Sequence, residues 1–318
     1  MLPYCPSPFF GFIVMASGTH KYQQDSRNDN ILININGELF PRSEAKISVF
    51  DSGFILGDGV WEGIRLHHGR LVFIEQHMRR LYDGAKALDM DIGLSATELV
   101  ERIQSTCDAN QMSDGVHIRL MVTRGIKSTP YQDPRVTISA ATIVIIAEHK
   151  SATEQLDNQG VSLFTSHVRR GYPDVQDPKL NTHSKLNCIL ACIQATKAHA
   201  DEALMLDPHG FVATCNSTHF FIARDGEVWT SSGDFCLDGI TRRNVINLCK
   251  ANDIPVFERN FTLADVYGAD EAFITGTFAG LSAVAQVDGR VIGTGEKPML
   301  ARLQQLYIQL IKTETQGS

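Results

Sequence analysis

Residues 220–230 read FFIARDGEVWT: an apolar, β-rich run, the dipeptide Asp225-Gly226, then a second strand-like run. A two-residue Asp-Gly turn between such runs predicts a tight antiparallel hairpin. Three other dipeptides repeat the pattern. Asn36-Gly37 separates ILINI from ELF, His68-Gly69 separates IRLH from RLVFI, and Asp288-Gly289 separates AVAQV from RVIG. The hairpins occur in both halves of the chain. Between them lie segments of helical periodicity: His77 to Leu88, Thr97 to Asn110, Ser184 to His199, Thr241 to Ala251 and Met299 to Thr313. In the third of these, Leu186, Ile189, Leu190 and Ile193 recur at i, i+3, i+4, i+7, which predicts one apolar, core-facing stripe. Antiparallel strands with interspersed helices give an α+β class.

The chain has 318 residues, which suggests two domains at roughly 150 residues each. The polar stretch 149–160, after the strand ATIVIIA, is the expected linker. It divides a smaller N-terminal domain, 31–148, from a larger C-terminal one, 161–318. The first thirty residues, 1–30, read as a poorly ordered leader, or the true start is Met15. The apolar run near Met1 lacks a basic segment and is broken by Pro3, Pro6 and Pro8, which argues against a secretion signal.

A formal net charge of −7 excludes a general binder of nucleic-acid backbones. No apolar stretch approaches the roughly 20 residues of a membrane span. Seven cysteines without a CxxC pair read as buried thiols in a reducing cytoplasm. No metal site is expected, because His67-His68 has no ligand-type neighbour in sequence and reads as a hairpin turn. Gly57-Asp58-Gly59 with Gly63 has the wrong spacing for a dinucleotide loop and reads as a turn before a strand. Ser43 to Lys46 matches SxxK, but the partner motifs of serine acylases are missing.

More chemistry is carried by Leu237-Asp238-Gly239-Ile240-Thr241-Arg242, which opens a helix. Free N–H groups at a helix N-terminus form a ready anion site. Thr275-Gly276-Thr277 follows the strand EAFI and adds further donors. Arg80 supplies a bidentate charge suited to a phosphate.

Together, FDSGFILGDGVWEGIR (50–65), HMRRL (77–81), HIRLMVTRG (117–125), LDGITR (237–242) and DEAFITGTFAG (270–280) resemble the fold type IV family of pyridoxal-phosphate enzymes. That family includes branched-chain, D-amino-acid and R-selective amine transaminases and aminodeoxychorismate lyase. The resemblance runs from about Ile31 onward. It implies a small α/β domain and a larger pseudobarrel domain, with pyridoxal phosphate between them in a homodimer. It further implies that Arg80, Gly239, Ile240, Thr241, Thr277 and Phe278 hold the cofactor. Trp61, Arg65, His117 and Arg119 then line the substrate pocket, and Arg119 with Arg65 or Arg124 binds an acceptor carboxylate. The Arg-x-His carboxylate trap of D-amino-acid transaminases is missing, since IKSTPY follows Gly125.

The chain departs from the family pattern twice. Where the family places its cofactor-linking lysine, the ungapped alignment gives Asn181. Lys185, four residues on and opening a helix, is the first candidate, and Lys179 the second. Where the family places a glutamate facing the pyridine nitrogen, this sequence has Thr214. The implied activity is transfer of an amino group between an amine or amino acid and a 2-oxo acid. The alternatives are a lyase of the same fold and a cofactor-binding protein with weak or no transaminase activity.

Overall fold

The computed structural model describes residues 25–150 and 160–316; residues 1–24 of the expected leader and 151–159 of the expected linker lie outside them. The first six strands are β1 (Leu32–Ile35), β2 (Glu38–Pro41), β3 (Gly59–His67), β4 (Arg70–Leu71), β5 (Val116–Thr123) and β6 (Thr142–His149). They form an antiparallel sheet in the order β2-β1-β6-β5-β3-β4. Three helices accompany it: α1 (Ser52–Leu56), α2 (Ile74–Ala87) and α3 (Ala96–Ala109). Because side chains alternate along a strand, Val60, Ile64 and Leu66 of β3 and Ile118 and Leu120 of β5 face α2 and α3. There they join Leu81, Leu99 and Ile103 in one core. Trp61, Gly63, Arg65, His117 and Arg119 are thereby turned to the opposite face.

The second sheet holds β7 (Val161–Thr165), β8 (Glu202–Leu206), β9 (Val212–Cys215), β10 (His219–Arg224), β11 (Glu227–Thr230), β12 (Val256–Glu258), β13 (Glu271–Gly276), β14 (Gly280–Val287) and β15 (Arg290–Val291). The order is β12-β11-β10-β13-β14-β7-β8-β9, with β15 on β14. The end strand β9 also lies against β10, so the sheet curls toward a half-barrel. Around it run α4 (Pro173–Gln176), α5 (Leu186–Lys197), α6 (Ile240–Ala251), α7 (Leu263–Tyr267) and α8 (Pro298–Gln316). Helices α6 and α8 cover Phe221, Phe273 and Leu281 with Val245, Leu300 and Leu303. Within that layer the Phe221 and Phe273 rings stack at 5.0 Å, worth about 0.5–1.5 kcal/mol beyond their buried area.

All four dipeptide turns join the strands they were expected to join. At Asp225-Gly226 both residues take positive φ, 52° and 81°, as a two-residue turn matching strand twist requires. All five expected helices form. The orientation of α5 is different from the expectation. Its apolar stripe is exposed: Leu186 by 64%, Ile189 by 51%, Leu190 by 45% and Ile193 by 44%. The helix instead buries Ala191 and Ala195 against Ala203 and Met205 of β8. Small side chains let its axis approach the strands closely, and the large apolar residues are left outward.

The segment before α5 is pinned to β3. The Trp61 N–H donates to the Asn181 carbonyl at 3.0 Å, the His183 N–H to the Gly59 carbonyl at 3.0 Å, and Val60 bridges Thr182. This short ladder fixes the register of residues 181–183 against one face of the future site.

Candidate active site

A cavity lies between the free face of β3 and β5 and the opening of α6 with the β13–β14 turn. Trp61, Arg80, His117, Arg119, Gly239, Ile240, Thr241, Thr277 and Phe278 all line it. Residues far apart in sequence are thus brought to one place. Arg65 lies on the adjoining cleft of about 580 Å³, which shares Thr277 and Phe278. Gly63 is needed for closeness: a Cβ there would come within 3.2 Å of His117 Nε2.

Arg80 is aimed from behind. Glu62, fully buried, accepts from Arg80 Nε at 2.8 Å and from Nη2 at 2.6 Å, while Nη1 donates to the Asp238 carbonyl at 2.8 Å. Neutral His77 donates from Nδ1 to Glu62 at 2.7 Å. Burial pushes the Glu62 carboxyl up, but Arg80 and His77 more than reverse this and hold it below the ordinary value. Burial pushes the His77 imidazole down. The guanidinium is therefore held rigidly at the cavity edge beside the loop that opens α6.

Gly239 is the N-cap of α6, and Arg243 is the first residue whose N–H returns to its carbonyl, at 2.9 Å. The N–H groups of Ile240 and Thr241 precede that first helical bond, as helix geometry dictates. A Cβ on Gly239 would run into His219 Nε2, so only glycine lets the loop cross this ring. His219 is buried, and desolvation, with Arg242, Arg80 and Arg170, drives its imidazole down to about 3, so the ring is neutral. Its Nδ1, Thr275 Oγ1 and Ser282 Oγ are buried with no hydrogen-bond partner among the described residues, and all three residues line the cavity. Such orphaned polar atoms cost roughly 1–3 kcal/mol each unless something binds there.

Lys185 Nζ donates to Asn181 Oδ1 at 3.0 Å and lies 5.4 Å from the centre of the Trp61 ring. Asn181 lines the cavity. Lys185 itself does not line this cavity but a neighbouring one with Arg170, Asn187 and Cys188, so its amine meets the cofactor cavity only through Asn181. Burial lowers the Lys185 ammonium to about 8; Cys188 opposes this, while Arg170, Arg80 and Arg119 add to it. Lys179 is exposed, and its backbone N–H donates to Asp177.

The remaining charge at the cavity is positive. Arg119 sits 4.0 Å over the Trp61 ring, and burial lowers its pKa against the pull of Glu148. Lys150 lines the same cavity with its Nζ 4.9 Å from the Phe278 ring, and its carbonyl accepts from Arg65 Nη1 at 2.8 Å. Its ammonium is lowered by burial, with Arg119 and Arg65 adding to the effect and Glu148 opposing it. Among the described residues, no aspartate or glutamate lines the cavity. This donor set selects anions.

Besides Lys185 and Lys179, two further expected residues line neither the cavity nor its adjoining cleft. Thr214 is buried with its hydroxyl donating to the Thr218 carbonyl at 2.9 Å, and it is not among the lining residues. Arg124 pairs with Asp58 at 2.7 Å and donates to the Leu88 and Asp89 carbonyls, which ties β5 to the end of α2 rather than facing the cavity. Sequence reasoning missed Glu62, Lys150 and His219. Glu62 had a signal: a lone carboxylate on the apolar face of β3, two residues from Val60 and from Ile64. Lys150 and His219 had none, since only the chain crossing places them.

The class IV aminotransferase model matches residues 59–287. The chain is 41% identical over 261 residues to a putative branched-chain-amino-acid aminotransferase of Methanocaldococcus jannaschii, covering 82% of this chain and 89% of that one. This chain belongs to the class IV aminotransferases. It is 40% identical over 284 residues to the branched-chain-amino-acid aminotransferase-like protein 2 of Arabidopsis thaliana, covering 89% of this chain and 51% of the relative. The chain therefore spans about half the length of that curated relative. Its fold matches the T.th. branched-chain amino acid aminotransferase complexed with N-(5'-phosphopyridoxyl)-L-glutamate, with a TM-score of 0.81 and 31% identity over 88% of this chain and 93% of the other. The two-sheet architecture is thus the fold type IV one.

A class IV aminotransferase works on pyridoxal phosphate, and the residues present fit that group. The cavity offers a guanidinium, a helix N-terminus and a turn carrying Thr277 for a phosphate. It offers unpaired buried donors and acceptors for a polar ring, and Asn181 on its wall holds the amine of Lys185, which burial lowers to about 8.

Proposed function

We propose that this chain is a pyridoxal-phosphate-dependent aminotransferase moving an amino group between an amine or amino acid and a 2-oxo acid. The observation that carries the reading is the Lys185 amine, 3.0 Å from Asn181 at the wall of a cavity built for anions. Arg80, Gly239, Ile240, Thr241, Thr277 and Phe278 hold the phosphate end. Bound there, the cofactor supplies an aldehyde and an electron-withdrawing ring. Lys185 would be the residue that holds the aldehyde, and its free amine would move a proton between the substrate carbon and the cofactor carbon on either side of the transferred nitrogen. Trp61 and His117 wall the substrate, and Arg119, Arg65 and Lys150 attract its carboxylate. Thr214 leaves the pyridine nitrogen without the carboxylate partner of the family, which weakens the electron sink.

The exposed stripe of α5 supports a homodimer, and exposed Phe54 on α1 adds to the apolar surface. The two sheets support domains at 31–148 and 161–318. The six free cysteines among the described residues support a reducing, cytoplasmic location. Among the described residues no helix is long and apolar enough to cross a membrane.

Mixing the purified, cofactor-loaded protein with amino donors and 2-oxo acids and separating the products tests the function. A new amino acid formed only when both are present supports transfer. Ammonia release from the donor alone replaces it with the lyase reading, and no product from any pair leaves only cofactor binding.

A further inference from the structure

We infer that Asn181 is a positioning residue, which delivers the Lys185 amine to the cavity wall; the inference rests on the reading of Lys185 as the cofactor-linking lysine. The Asn181 backbone is fixed by the Trp61 N–H at 3.0 Å. Its side-chain Nδ2 donates to the Trp61 carbonyl at 2.6 Å. With the NH₂ end tied to a carbonyl, the amide oxygen is the end left to face the lysine, and Lys185 Nζ donates to it at 3.0 Å. The amide is thus a rigid arm, set on the β3 ladder and buried.

The lysine needs such an arm. Lys185 is the N-cap of α5, and it lines the small cavity of Arg170, Asp177, Asn187 and Cys188 rather than the cofactor cavity, which Asn181 lines. A flexible four-carbon stem otherwise samples that space. Asn181 selects the conformer in which the amine meets the amide oxygen of a residue that lines the cofactor cavity.

An amide also does this without adding charge. The charged and titratable groups around the amine are Arg170, Arg80, Arg119, Cys188 and His183. The arginines and burial hold the ammonium low, so an appreciable fraction is neutral near pH 8 and able to attack an aldehyde. A carboxylate at the same position would hold the proton on.

The test uses the full chain, stripped of cofactor and mixed with pyridoxal phosphate, comparing wild type, Asn181→Ala and the isosteric Asn181→Asp. The rate at which the near-visible band grows is followed against pH, and borohydride reduction with peptide mapping locates the modified lysine. In the wild type the tag falls on Lys185 and the rate rises through about pH 8. In Asn181→Ala the rate at saturating cofactor falls about tenfold or more, because the amine is no longer held in place. In Asn181→Asp the pH profile moves up by about one unit, as a neighbouring carboxylate requires. The profile shift shows that the side chain at 181 touches the amine; a purely structural asparagine would leave the Asn181→Ala rate at saturating cofactor unchanged. If the wild-type tag is on Lys185 but Asn181→Ala keeps the wild-type rate, the positioning role is overturned while the lysine assignment stands. If the wild-type tag lies elsewhere, both fall. Should Asn181→Ala fail to fold, Asn181→Ser, too short to reach the amine, is measured in its place, with the same loss of rate expected and an unchanged rate overturning the role.

Discussion

Glu62 and Arg80 form a forked pair, with Nε 2.8 Å from Oε1 and Nη2 2.6 Å from Oε2, around a carboxylate that has no exposed surface. The pair links the core face of β3 to the cavity edge, so the same contact serves the fold and the anion site. Arg80→Ala removes the guanidinium proposed to hold the phosphate and strands Glu62. Cofactor affinity should fall about tenfold or more, since hydrogen bonds to charged groups contribute about 1.5–3 kcal/mol. Turnover at saturating cofactor should fall less. Titration of cofactor binding by absorbance checks this; unchanged affinity would show that Arg80 does not hold the phosphate.

The same pair fixes the sign of a pH effect. The folded Glu62 carboxyl lies below its ordinary value of 4.5. Its contribution to stability is complete above that value and fades as pH falls through the folded pKa. Glu62→Gln removes this contribution. The wild type should lose melting temperature more steeply than Glu62→Gln on acidification below about pH 4.5. Parallel acid melting curves would show that the pair contributes nothing.

The sequence carried much of this architecture because the signals were local. Asp225-Gly226 and its three counterparts state their turn geometry in two residues. The periodicity of 77–88 and 241–251 states a helix in one segment. What covers a helix is not local. In α5 the stripe of Leu186, Ile189, Leu190 and Ile193 is plain in the sequence. That Ala191 and Ala195 face β8 instead depends on the close approach of a strand from elsewhere. The site divides in the same way. Arg80, Thr241 and Thr277 sit in recognisable segments, whereas Glu62, Lys150 and His219 acquire their roles only from the crossings of β3, β6 and β10. Arg124 followed its motif, yet Asp58 and the end of α2 claim it.

Arg124→Ala should therefore lower stability and leave the KM for a 2-oxo acid unchanged. Its bonds to Asp58 and to the Leu88 and Asp89 carbonyls hold β5 to the end of α2. The loss should be about 1–3 kcal/mol, read by urea denaturation. A raised KM with unchanged stability would return Arg124 to the substrate pocket.

The outward stripe of α5 predicts an association that charge disrupts. Leu190→Glu combined with Ile193→Glu should convert a dimer into a soluble, folded monomer, seen by light scattering coupled to size exclusion. These side chains are 45% and 44% exposed, so the charges are tolerated in the isolated chain. A wild type that is already monomeric, or a double variant that stays dimeric, would remove α5 from the interface.

The proposed amino transfer depends on one amine. Borohydride reduction of the cofactor-loaded wild type, followed by digestion and mass spectrometry of the labelled peptide, identifies the lysine joined to the aldehyde. The label should fall on Lys185, whose Nζ is held 3.0 Å from Asn181 at the cavity wall. A label on exposed Lys179, on Lys150, or on no lysine while the cofactor remains bound would contradict the assignment.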